Sequence, residues 1–167
     1  MHASRIVLSL AFLLSSAAPA LAQGAQWRQI IGIIQAGNLV GAGSGQVAGG
    51  GQPWSTTRGE SHVDLDRGRV HFEVRGLVLA GGNGVGTPGA ITEVKGTLVC
   101  DTNGSAGGGI SVLVDTPLVP LSAQGDANFN GDLGTLPAVC LSEPDIAFLI
   151  RIVPAGRWIA NGAVRRP

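Results

Sequence analysis

Between residues 60 and 75 apolar and polar side chains alternate along two stretches, one on either side of Arg67-Gly68. A period of two is the mark of a strand with one face buried, so a hairpin is predicted here. The turn is Arg67-Gly68, or the four residues Asp66 to Arg69. The expected register sets Leu65 against Val70, Val63 against Phe72 and Ser61 against Val74 on the buried face. On the outer face it sets Asp66 against Arg69, Asp64 against His71, His62 against Glu73 and Glu60 against Arg75. Each of these polar pairs joins an acidic residue to a basic or potentially basic one, which favours neighbouring strands.

The same reading extends along the chain. Residues 27–35 are rich in β-branched residues, and 76–80 continue the second hairpin strand. Strands are expected at 91–100, at 110–115 and at 125–131, the last with Ala127 and Phe129 on one face. Residues 146–153 read as a buried strand that Pro154-Ala155-Gly156 turns into 157–164. Pro117 and Pro120 interrupt pairing and mark an edge or crossing segment. Residues 36–52 are a loop or an irregular edge strand, 81–90 a loop expected to be flexible, and a turn falls around Asn103-Gly104. No helical period with cap signals runs for ten residues beyond residue 22. Seven to nine short strands without helices predict an all-β single domain, an antiparallel β-sandwich or small barrel.

Composition sharpens that picture. All 27 glycines and all but one of the 9 prolines follow residue 22, which suits short strands joined by glycine-rich turns. Before them, His2 and Arg5 precede an apolar run from Ile6 to Leu14 and a small-residue end at Ala20-Leu21-Ala22. That is the pattern of a cleaved secretory signal, residues 1–22, with a mature domain of residues 23–167 that is secreted or periplasmic. The run is too short to span a bilayer, so no membrane partner is expected after cleavage. With 11 basic and 11 acidic residues there is no electrostatic footprint for nucleic acid. Three Trp, four Phe and no Tyr do not furnish the aromatic girdles of an outer-membrane barrel. Trp27, Trp54 and Trp158 are read as core residues. In an oxidising compartment Cys100 and Cys140, the only cysteines, are expected to form one disulfide. It would close a loop of about 40 residues.

Several motifs carry possible chemistry. Asp126, Asn128, Asn130 and Asp132, with Gly131 and Leu133, match the opening of a calcium loop, although Pro137 stands where its bidentate Glu belongs. The same residues also fit an outward-polar strand, so calcium is carried only as a stabilising cofactor to be tested. His62 and His71 share the outer face of the hairpin, where they could serve as a catalytic or metal pair, but each is expected opposite a carboxylate and they are read as structural. Gly84-Val85-Gly86-Thr87-Pro88-Gly89 has the spacing of a dinucleotide fingerprint, yet Pro88 and a following strand remove the helix that would hold a pyrophosphate. No serine stands in a nucleophile elbow, and no HExxH, P-loop or CxxC occurs. Asn103-Gly104-Ser105 is a glycosylation sequon in a eukaryotic host.

The segment from Gly59 to Leu77, with Pro53-Trp54-Ser55-Thr56 ahead of it, resembles the hairpin of CHRD domains. These are secreted β-sandwich modules similar in topology to Cu,Zn superoxide dismutase. The histidine-bearing segment that the family places after Gly76-Leu77 is replaced here by the glycine loop. The resemblance therefore implies a sandwich without copper ligands and a non-catalytic role. The expected function is a non-catalytic extracellular or periplasmic module that binds a ligand or belongs to an assembly. A small hydrolase or isomerase with its site in loops 81–90 and 101–109 is the reading from another class, and a calcium-stabilised module is a third.

Overall fold

The computed structural model describes residues 24–106, 108–142 and 145–166; the leader expected at 1–22 lies outside them. The elements in chain order are β1 (Gly24–Gly32), β2 (Leu39–Val40), β3 (Val47–Ala48), β4 (Trp54–Ser55), β5 (Arg58–Asp64) and β6 (Arg69–Arg75). They continue with β7 (Val78–Leu79), β8 (Glu93–Cys100), β9 (Val112–Asp115), β10 (Val119–Pro120) and β11 (Ala127–Asp132). A short helix, α1 (Ala138–Ser142), precedes β12 (Ile146–Ile152) and β13 (Trp158–Arg166). The fold is an all-β domain, as expected, with a 3-10 turn at Gly43–Gly45 and one short α-helix, neither foreseen from the sequence. That helix is too brief to show a period, and Cys140 inside it is tied to Cys100 with a Cα–Cα distance of 4.9 Å.

One antiparallel sheet holds most of the strands, in the order β10-β8-β12-β13-β1-β5-β6-β11. It curls until its end strands β10 and β11 come into contact. Strand β9 pairs with the same edge of β8 as β10 does. Between them the ladder is bent at Thr116. There the Thr116 N–H donates to the Gly96 carbonyl at 2.9 Å and the Gly96 N–H donates to Thr116 Oγ1 at 2.9 Å. The edge reading of Pro117 and Pro120 agrees with this bend. Two small ribbons, β2–β3 and β4–β7, pack outside the main sheet.

The inward faces fill the curl. Trp27, Phe148, Phe72 and Phe129, from four different strands, form a chain of rings with centroids 5.8, 5.7 and 6.2 Å apart. Burying such rings is a large part of the stabilisation of a small domain. Gly96 makes room for them, since a Cβ there would stand 2.7 Å from Phe148 and 2.9 Å from Phe72. One inward polar group is left over: the buried Ser61 hydroxyl meets no hydrogen-bond partner among the described residues. All three tryptophans are buried.

The hairpin differs from its expected register. Strands β5 and β6 pair Val63 with Val70, Ser61 with Phe72 and Gly59 with Val74 on the inner face. On the outer face they pair Asp64 with Arg69, His62 with His71, Glu60 with Glu73 and Arg58 with Arg75. The ladder has slipped by two residues, which leaves every side chain on its expected face and changes every partner. The cause lies in the turn, which takes four residues from Leu65 to Gly68. Leu65 leaves the ladder and is buried in the core, while Asp66 sits in the turn. The Asp64 carboxylate accepts the Arg67 N–H at 3.0 Å. Gly68, at φ +67°, lies against Gly134 so closely that a Cβ would stand 1.8 Å from its carbonyl oxygen. Packing of this kind outweighs cross-strand charge pairs worth a few tenths of a kcal/mol, roughly.

A second correction concerns 76–80. Gly76, at φ +62°, ends β6, and residues 78–79 pair with β4 instead of continuing that strand. The loop at 81–90 folds back on it: Leu79 N–H donates to the Thr87 carbonyl and Gly86 N–H to the Leu79 carbonyl, each at 2.9 Å.

Candidate functional site

Where the two ends of the curled sheet meet, the backbone ladder is interrupted and a groove of about 610 Å³ opens. Its polar walls are His71, Glu73 and Arg75 from the outer face of β6, and Asp126 and Asn128 at β11, with Pro120 of β10 opposite. The alternation of β6 places its three side chains at successive outward positions. Proline suits the facing edge because it offers no N–H to pair.

Backbone clamps fix the end of the groove. The Gly76 N–H donates to Asp126 Oδ1 at 3.0 Å, and the Leu77 N–H donates to the Gly125 carbonyl at 2.8 Å. Gly125, at φ +82°, is so close to Leu77 that a Cβ would stand 2.5 Å from its backbone. The Ser122 hydroxyl accepts the Asp126 N–H at 3.0 Å and the Gln124 N–H at 3.2 Å. The turn that carries Asp126 is thereby held on both sides.

The charges in the groove are already partly matched. Arg75 donates through Nε to Glu73 Oε1, and this bond, with the Arg75 charge, holds the Glu73 carboxyl below the usual carboxylate range. His71 and Arg58 act on Glu73 in the same direction. Arg75 is in turn held protonated by Glu73, with a smaller contribution from Asp126. The row Glu73–Arg75–Asp126 thus sets two carboxylates against one guanidinium. An ionised carboxylate of this kind accepts hydrogen bonds and attracts cations; it has no proton to give as a general acid near neutral pH.

The structure distributes the other sequence candidates as follows. Asp126, Asn128, Asn130 and Asp132 lie along β11 and its approach at alternate positions, opposite β6. Asp132 pairs with Arg69 at 3.4 Å and Asp126 accepts from Gly76. These four side chains form a straight ladder spanning about 20 Å at ordinary strand rise, not a loop wrapped round one ion. Among the described residues no group of three or more His, Cys, Asp or Glu is placed to hold a metal. The hairpin residues Glu60, His62, Asp64, Arg69, His71, Glu73 and Arg75 share the outer face of β5 and β6 in the register given above.

Loop 101–109 is pinned rather than open at its start. Asp101 is buried at φ +56°, and its carboxylate accepts the N–H groups of Ser105 at 2.8 Å and Ala106 at 3.1 Å. Asn103 of the sequon donates through Nδ2 to Asp145 at 2.6 Å. Gly84, Gly86 and Gly89 lie in turns that lead into β8, with no helix behind them.

Two features escaped the sequence reading. One is the groove itself, for which Gly76 and Gly125 were the available signals. The other is a knot on the outer face of β8, β9 and β12. There Asp115 takes hydrogen bonds from Lys95 Nζ, from Thr97 Oγ1 at 2.6 Å and from Arg151 Nη1 at 3.1 Å. A second, smaller groove of about 390 Å³ runs beside Ile31, Ile34 and Trp54. Among the described residues no helix is long and apolar enough to cross a membrane. Comparison of the chain with protein-family models, with curated proteins and with solved structures finds no match.

Proposed function

We propose that this protein is a secreted or periplasmic binding module that takes a small, amine-bearing polar ligand in the groove between β6, β10 and β11. The observation that supports the reading most is the arrangement of Glu73, Arg75 and Asp126. Two carboxylates against one guanidinium leave negative charge to meet an ammonium group, and the Asn128 amide adds a neutral donor and acceptor. The groove's size lies within the range of small-molecule sites. A binding role is favoured over a hydrolytic one because Glu73 is held ionised by its neighbour, and because Asp101 is occupied by backbone donors. The leader expected at 1–22 and the disulfide agree with work outside the cytoplasm.

A titration of ¹⁵N-labelled protein with amino acids, polyamines and neutral sugars tests the reading. Amine-bearing compounds are expected to move the amide signals of 71–76 and 125–128, and Asp126→Asn to weaken the response. Shifts confined to other regions, or turnover of a ligand abolished by a folded variant in loop 101–109, would overturn it.

A further inference from the structure

The corrected register brings together two groups that the charge pattern had kept apart. His62 and His71 are direct cross-strand partners on the outer face, and neither has a hydrogen-bond or ion-pair partner among the described residues. They are the only histidines in the chain apart from His2. Opposed residues on antiparallel strands have Cβ atoms about 4.5–5.5 Å apart. From that separation the exposed imidazole of His62 and the half-buried one of His71 can converge on a single ion at ordinary metal–nitrogen distances of about 2.0–2.1 Å.

The surroundings favour a cation there. The next outward pair along the ladder is Glu60 opposite Glu73, so like charges face each other beside the two rings. Continuing the histidine row across the sheet, Gln26 of β1 stands opposite His62 and Asn130 of β11 opposite His71. On the far side lie Asp64 and Arg69, already engaged with Arg67 and Asp132. The row's cationic residue, Arg166 of β13 opposite Gln26, stands two strands away from His62. In the structure the His62 ring leans over Gly24, its Nε2 3.3 Å from where a Cβ would stand, so chelation requires a side-chain rotation toward β6. His62 is exposed, which leaves that rotation free.

We infer that His62 and His71 form a bidentate site for a late divalent transition metal, copper(II) before nickel or zinc, with water completing the coordination. Neutral imidazole suits these ions, and copper(II) heads the affinity order for a given nitrogen site. Both cysteines are in the disulfide, so no thiol competes. The site is distinct from the four-residue calcium pattern, whose oxygen donors serve a harder ion. It shares His71 with the wall of the groove, whereas His62 does not line the groove and so reports on the metal site alone.

The test uses the full chain carrying His2→Gln and no affinity tag, titrated with copper(II) against glycine as a weak competitor. One ion per chain is expected, with a paramagnetic resonance spectrum showing two imidazole nitrogens. His62→Gln and His71→Gln are each expected to weaken binding at least tenfold and the double variant to abolish it, with no change in melting of the metal-free protein. Single variants that keep parent affinity, or two ions bound with about twofold loss per variant, would overturn the inference. Loss of metal in His62→Gln with an unchanged response of the groove to amines separates this site from the groove reading.

Discussion

The two flanks of the curled sheet use their outer charges in opposite ways. On the flank of β8, β9 and β12, charges converge: Lys95, Thr97 and Arg151 all bond to Asp115, and Arg151 also donates through Nε to the Gly156 carbonyl at 2.9 Å. Burial alone would raise the Asp115 pKa, but the bonds from Lys95 and Thr97, with the Arg151 charge, bring it below its ordinary value. The disulfide ties β8 to α1 on the same flank. On the flank of β5, β6 and β11, like residues stand opposite like in three rows, and neutralisation comes from neighbours along the chain or from the next strand. The first flank commits its polar groups to holding itself together, and the second leaves them open to solvent. That contrast is the reason the proposed binding surface is placed on the second flank.

The comparison can be broken at its strongest point first. Replacing both Cys100 and Cys140 with Ala removes a cross-link between residues 40 apart and is expected to cost about 4 kcal/mol, read as a lower urea midpoint. A variant as stable as the parent would show that this flank does not depend on the tie. Next is Gly96→Ala, which drives a methyl between Phe148 and Phe72, where the flanks meet inside. Overpacking there is expected to cost about 1–3 kcal/mol, and a neutral result would mean the ring stack is loose.

Asp115→Asn sharpens the contrast through pH. Its charge-assisted bonds on a partly exposed carboxylate contribute on the order of 1 kcal/mol after discounting for solvent. Because the folded pKa lies below the ordinary aspartate value of 3.8, that stability is present above 3.8 and is lost as pH falls through the folded pKa. Parent and variant melting curves should therefore differ at neutral pH and converge in acid. A gap that persists well below that range would count against the charge as its origin.

The two smallest effects fall on the other flank. Ser61→Ala removes an unpaired buried hydroxyl and is expected to leave stability unchanged or raise it by less than about 1 kcal/mol. Glu60→Gln relieves the opposition to Glu73 and is expected to raise the melting temperature slightly at low salt, an effect that disappears at high salt. A loss in either variant would show this flank to be structurally committed after all.

The alternation at 60–75 and 125–131 was enough to assign inner and outer faces, and the isolated cysteines were enough to pair them. Register was beyond that pattern, because a slip of two residues keeps every face. The choice between registers lay with Leu65 and with the contact of Gly68 on Gly134, more than sixty residues away, and neither is visible locally. Helix α1 was hidden for a related reason, since a single turn held by Cys140 has no period to detect. The groove was illegible because Asp126 meets Arg75 only through the long-range pairing of β11 with β6, and Pro120 faces them only when the far edges of the sheet curl together.

One feature of the strand order bears on how the protein is made. Strand β13 alone joins β12 to β1, so the two flanks share no continuous ladder until the chain has been synthesised to residue 166. Contacts of such sequence separation form slowly. Without that strand the ladders β10-β8-β12 and β1-β5-β6-β11 have no hydrogen-bonded connection in the sheet.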